Sequence, residues 1–161
     1  MVKKIYLDMD GVIADFDKRF IELHGVPPGQ VQGTFTKSEF WEMFVKGRHF
    51  ETLEWFHEGK ELYQFLSSFR IPIEILSSSG GELFYDEITE HKTSWLRNNN
   101  IHIPVNIVPG KRYKKDFAHE HHLLIDDTYR NVIEFEEAGG KAILHQNLKD
   151  TMEQVYESLY R

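Results

Sequence analysis

The sequence predicts an α/β protein with a doubly wound parallel sheet of five strands and a small helical cap inserted after the first strand. Three observations carry this. Five short apolar runs, at 4–7, 71–76, 105–108, 123–125 and 141–144, lack clean polar–apolar alternation. Such runs suit strands covered on both faces, hence parallel strands joined by crossover helices. Stretches with helical periodicity separate the later runs, and two of the five runs end in paired carboxylates.

The elements follow in order. The first run, Lys4-Ile5-Tyr6-Leu7, leads into Asp8-Met9-Asp10-Gly11-Val12. An insert then extends from Phe16 to Phe56. It is punctuated by His24-Gly25, Pro27-Pro28-Gly29 and Gly33. Within it, Thr36-Lys37-Ser38-Glu39 has the capping-box pattern that opens a helix, and Gly47 is placed to close it. The domain reading is therefore a core of 1–15 and 57–161 with a cap of 16–56. Leu62, Phe65, Leu66 and Phe69 form one helical stripe, and Met152, Val155, Tyr156 and Leu159 repeat the spacing at the C-terminus. Gly139-Gly140 ends a helix before the last run.

Composition limits the function. The 161 residues include 19 Lys and Arg against 26 Asp and Glu, a formal charge of −7. That disfavours a duplex or long-strand nucleic-acid binder, although a small anionic ligand needs only a local positive spot. The chain has no cysteine, which excludes disulfides, thiolate metal sites and a Cys nucleophile, and fits a reducing cytoplasm. The longest early apolar stretch, Ile5-Tyr6-Leu7, is too short for a signal peptide or a membrane span.

The chemistry-bearing residues sit at strand ends, where open α/β sheets bind their ligands. Asp8 and Asp10, two apart on an extended chain, can face one centre, and Gly11 allows a sharp turn behind them. The bland alternative is a solvated acidic turn. A second pair, Asp126-Asp127, ends the run at 123–125. Parallel strands bring both endings to one sheet edge, where clustered carboxylates call for a hard divalent cation such as Mg²⁺. For Asp127 the competing role is helix capping. Ser77-Ser78-Ser79-Gly80-Gly81 offers hydroxyls and amides suited to a phosphate, and Gly110-Lys111-Arg112-Tyr113-Lys114-Lys115 is the largest basic concentration. Lys92 puts a charge in the apolar stripe of Ile88 and Leu96, either to snorkel or to reach an anionic ligand. His119, His121 and His122 precede a strand and belong at the opposite edge, as surface histidines.

Asp8-Met9-Asp10-Gly11-Val12, Ser77, a later Lys and Asp126-Asp127 resemble, in order, the four motifs of the haloacid dehalogenase-like (HAD) phosphatases. Within that superfamily the chain is most similar to the 5'(3')-deoxyribonucleotidases and their bacterial and phage relatives. Ser38-Glu39, His49-Phe50-Glu51-Thr52-Leu53-Glu54 and His91-Lys92-Thr93-Ser94-Trp95-Leu96 support this. The resemblance implies a Rossmann-like core and hydrolysis of a small phosphomonoester, a nucleoside monophosphate in that family. It implies Asp8 as nucleophile and Asp10 as general acid/base. Mg²⁺ would be held by Asp8, the Asp10 carbonyl and the Asp126-Asp127 pair. Phosphate would be held by Ser77, Ser78 and a Lys, with Lys92 a candidate and Lys114 chosen over Lys111 and Lys115. The nucleobase would pack on Phe16, Phe35 and Phe44. The chain departs from the family in having Ser77 where Thr is frequent, a longer segment between Val108 and Leu123, and a dissimilar cap. Competing readings are a HAD phosphatase for another metabolite, a nucleic-acid 3'-end phosphatase, and a non-catalytic Mg²⁺ or phospholigand-binding module.

Overall fold

The computed structural model describes residues 1–30 and 37–161. Five strands, β1 (Lys4–Leu7), β2 (Ile73–Ser78), β3 (Val105–Val108), β4 (His122–Asp126) and β5 (Lys141–Leu144), form one parallel sheet in the order β3-β2-β1-β4-β5. The chain winds from β1 outward through β2 to β3, then crosses back to β4 and β5 on the other side. The direction reverses at β1, so the crevice for a ligand opens beyond the carboxyl ends of β1 and β4.

The strands are apolar throughout because both faces are covered. Ile5, Leu7, Ile75, Leu123 and Ile125 belong to one buried cluster, with Trp95 and Val155. Tyr6, Leu76 and Leu124, one residue out of phase, join Val108 and Phe135 in a second cluster. Alternate side chains thus feed opposite faces, and each face finds an apolar cover. The observed β2 starts and ends two residues later than the apolar run at 71–76. Pro72 has no N–H for the ladder, while Ser77 and Ser78 pair with Ile107 and Val108.

Helices α3 (Gly59–Ser67), α4 (Tyr85–Asn98), α5 (Tyr129–Glu137) and α6 (Leu148–Tyr160) alternate with the strands. The crossover from β3 to β4 differs from the expected α-helix. It is a 3₁₀ segment, Lys111–Phe117.

The segment after β1 holds α1 (Phe16–His24), a 3₁₀ turn at Pro28–Gln30, α2 (Lys37–Lys46) and a second turn at His49–Thr52. Asp15 caps α1 by accepting from the Lys18 amide, and Gly25 ends it at φ 76°. The two ends of the segment lie side by side. Ala14 bridges Trp55, the Asp15 amide donates to the Glu54 carbonyl, and the Phe56 amide donates to the Ile13 carbonyl. Its buried rings Phe20, Phe44 and Phe50 merge with the sheet's larger cluster, and Trp55 meets Trp95 of α4 edge-on. Among the described residues no helix is long and apolar enough to cross a membrane.

Candidate active site

The site begins with register. Leu7 pairs with Ile125, and the Asp8 amide donates to the Ile125 carbonyl, so Asp8 and Asp126 become neighbours one step beyond the ladder. The chain then turns tightly. The Met9 carbonyl accepts from the amides of Val12, Ile13 and Ala14, and Gly11 takes φ 78°. Asp127 fills the hollow over Gly11, where a Cβ would lie 2.1 Å from its Oδ2.

Asp8, Asp126 and Asp127 each bring a carboxylate oxygen to within 4.8 Å of the others. Asp8 and Asp126 are buried, and Asp127 keeps an exposed side. Lys114, buried by the 3₁₀ segment, places its Nζ 2.9 Å from Asp8 Oδ1 and 2.7 Å from Asp126 Oδ2. Its neighbours in the basic run, Lys111, Arg112 and Lys115, remain exposed. Asp126 is held further by the Thr128 amide at 2.9 Å on Oδ1 and by Asn131 Nδ2 at 3.2–3.3 Å from both oxygens.

The electrostatics follow from enclosure and crowding. Burial, then Asp8, pushes the Asp126 carboxyl up. Enclosure first, then the charges of Asp8 and Asp126, raises Asp127 to about 8. Lys114 is lowered by burial, but the two carboxylates it bridges outweigh that and raise it overall. Three carboxylates facing one ammonium leave two negative charges when all are ionised. A divalent cation with oxygen ligands matches that surplus in charge and in donor type.

The second acidic residue of the first motif is bound differently. Asp10 Oδ2 accepts from Lys92 Nζ at 2.8 Å, and Oδ1 has no hydrogen-bond partner. Lys92 sits on α4 with 1% of its surface exposed. Helix α4 starts at Tyr85, and helical side chains lean toward the N-terminus, so Lys92 reaches back to the sheet edge. Its Nζ also donates to Ser77 Oγ at 2.8 Å and to the Ser78 carbonyl at 2.9 Å. Ser78 Oγ accepts from the Gly80 amide, which closes the serine turn.

These groups line a cavity of about 300 Å³ with Asp8, Asp10, Ser77, Ser78, Lys114 and Asp127 on its floor. Its roof is Phe16, Pro28, Trp41 and Phe50. The rings of Phe16, Trp41 and Phe50 lie within 16° of parallel, with centroids 5.6–5.9 Å apart. Trp41 also rests against Gly80, where a Cβ would come within 3.3 Å of the indole.

Every strand-end residue singled out from sequence is thus at one edge. Lys92, left between two readings, is buried and donates to Asp10 and Ser77, which line the cavity. The aromatic selection fares unevenly. Phe16 lines the cavity, Phe44 is packed beneath Phe16 and Phe50 with 1% exposure, and Phe35 lies outside the described residues. Trp41 and Phe50 also line the cavity, although Phe50 is buried in the core cluster and Trp41 packs against it. Thr128, Asn131 and Asp17 were not foreseen; Asn131 stands five residues after Asp126 with no motif to flag it. His122 begins β4, at the end of the sheet opposite Asp126.

No family model and no curated protein matches the sequence. Solved structures share the fold. CbbY from Rhodobacter sphaeroides, solved in complex with phosphate, matches with TM-score 0.53 at 13% identity, over 92% of this chain and 91% of that one. A HAD family enzyme from Bacteroides thetaiotaomicron, an Asp12Ala mutant complexed with magnesium and inorganic phosphate, matches with TM-score 0.52 at 10% identity over the whole of both chains. A hydrolase from Pseudomonas syringae matches with TM-score 0.52 at 14% identity, over 94% of this chain and 89% of that one. The five-stranded parallel sheet flanked by helices is therefore the fold of HAD-like hydrolases.

Proposed function

We propose that the protein is a Mg²⁺-dependent phosphomonoester hydrolase that works through an aspartyl-phosphate, with a nucleoside monophosphate as substrate. The observation that carries the reading is the meeting of Asp8, Asp10, Ser77, Ser78, Lys114 and Asp127 around one cavity, with the buried Asp126 paired to Lys114. Solved relatives of the same fold carry phosphate, and one carries magnesium. Aromatic rings lining the cavity suit a flat base, and about 300 Å³ is at the small end of small-molecule sites.

In this mechanism the Asp8 carboxylate, oriented by Lys114, attacks phosphorus in line. Asp10 protonates the departing alkoxide, then removes a proton from the water that cleaves the acyl-phosphate. Ser77, Ser78 and Lys114 offer donors to the transferring oxygens. Asp8, Asp126 and Asp127, with the Asp10 carbonyl, are the residues to hold Mg²⁺. Its charge offsets repulsion between Asp8 and the phosphate dianion.

The test is p-nitrophenyl phosphate hydrolysis with and without Mg²⁺, followed by a panel of dUMP, dTMP and sugar phosphates. Mg²⁺-dependent turnover that vanishes in Asp8→Asn supports the reaction, and near-normal turnover by that variant refutes it. Faster hydrolysis of sugar phosphates than of nucleotides counts against the base pocket. A second reading, a nucleic-acid 3'-end phosphatase, draws on one observation. The cavity adjoins a groove of about 650 Å³ lined in part by Lys111, Arg112 and Arg130. It requires a 3'-phosphorylated oligonucleotide to be cleaved faster than dTMP, with steep salt dependence.

A further inference from the structure

Lys92 is a buried cation that the mechanism above leaves without a task. An ammonium has three hydrogens to donate and no lone pair. Here the three donations go to Asp10 Oδ2, Ser77 Oγ and the Ser78 carbonyl, all within 2.9 Å. The Phe50 ring lies 5.0 Å from the same nitrogen and covers it. No donor is left for a phosphate oxygen unless one of these bonds breaks. Lys114, by contrast, bridges Asp8 and Asp126 directly on the cavity floor.

The three bonds share one consequence. Two of the acceptors, Ser77 and Ser78, are fixed in β2, which pairs with β1 and β3. A lysine tied to that strand at two points holds Asp10 by the third. Asp10 lies beyond the end of β1 on a turn built around Gly11, and its Oδ1 has no partner to orient it. Its carboxyl is therefore aimed by Lys92 alone among the described residues.

We infer that Lys92 is a positioning residue that fixes the Asp10 carboxyl for proton transfer to the leaving group, and that it is not a phosphate ligand. The inference rests on the phosphatase reading. It separates two kinds of substrate. An alkoxide must be protonated as it leaves, whereas p-nitrophenolate departs without a proton and needs little from Asp10.

The experiment compares wild type with Lys92→Met on dTMP and on p-nitrophenyl phosphate. The readout is kcat/KM, which covers steps up to departure of the leaving group, together with inhibition by inorganic phosphate. The expected result is a loss on dTMP at least about 30-fold larger than on p-nitrophenyl phosphate. Phosphate inhibition should stay within about threefold, because the donors at Ser77, Ser78 and Lys114 remain. With p-nitrophenyl phosphate, a burst of p-nitrophenolate should precede slow turnover, since Asp10 also serves the second step. Equal losses on both esters, or phosphate inhibition weakened tenfold or more, would overturn the inference in favour of a phosphate ligand. If Lys92→Met fails to fold, Lys92→Gln, which keeps two N–H donors, is read by the same criteria. Wild type inactive on both esters would overturn the phosphatase reading together with the inference. An active wild type with uniform losses removes the inference alone.

Discussion

Asp127 Oδ2 occupies the space that a side chain on Gly11 would need, 2.1 Å from where a Cβ would stand. The turn after β1 and the end of β4 therefore interlock, and the absence of a side chain at position 11 lets the second acidic pair close on the first.

Gly11→Ala should break that fit. The backbone there is left-handed, at φ 78°, so the alanine is strained by about 1–2 kcal/mol before any clash. Asp127 has to swing away. Calorimetry should show Mg²⁺ affinity down by about 10- to 100-fold, with a parallel loss of activity. Unchanged Mg²⁺ binding would mean that Asp127 is dispensable to the ion.

Lys114→Met removes the ammonium between Asp8 and Asp126 and leaves the carboxylates uncompensated in a buried site. Breaking such a pair from one side costs about 3–5 kcal/mol of stability. Mg²⁺ should then raise the melting temperature more in the variant than in wild type, because it supplies the missing positive charge. Equal shifts in both proteins would show that Lys114 and the ion do not share these carboxylates.

The raised Asp127 pKa has a sign that can be checked. Its carboxyl titrates near about 4 when unfolded and about 8 when folded, so the folded metal-free protein holds the proton more tightly. Its contribution is fully present below about pH 4 and is lost as pH climbs toward about 8. His49, His91 and His145, pushed down chiefly by burial, act in the opposite direction. The comparison is thus between wild type and Asp127→Asn in chelator. Wild type should lose stability relative to the variant as pH rises from 5 to 8. A constant difference would refute the shift.

The roof separates packing from recognition. Phe44→Ala empties a fully buried position and should cost about 3–5 kcal/mol, with KM for nucleotides affected no more than for p-nitrophenyl phosphate. Trp41→Ala removes a partly buried ring on the cavity wall. It should raise KM for dTMP selectively while lowering the melting temperature less than Phe44→Ala does, because Trp41 is only partly buried. The reverse pattern would reassign the two rings.

How far the sequence reaches can be seen at Asp126 and at Lys92. Asp126 ends a continuous apolar run, and a parallel strand must deliver its end to the same edge as Asp8, so the pairing was legible from one dimension. Lys92 lies 82 positions from Asp10. Its periodicity on α4 showed a charge in an apolar stripe but not the reason, because that depends on where the helix starts and which way its side chains lean. The expected α-helix between β3 and β4 became a 3₁₀ segment for the same kind of reason, since only the folded chain shows how that crossover buries Lys114.

The sequence by itself determined the sheet, its parallel sense, and the residues gathered at its carboxyl edge, because strand burial and side-chain alternation are local properties written in apolar runs. Only the tertiary structure decided which lysine meets which carboxylate, which aromatic rings line the cavity, and that Asn131 steadies Asp126. Those outcomes depend on distances between segments far apart in the chain, and a spacing of letters does not encode them.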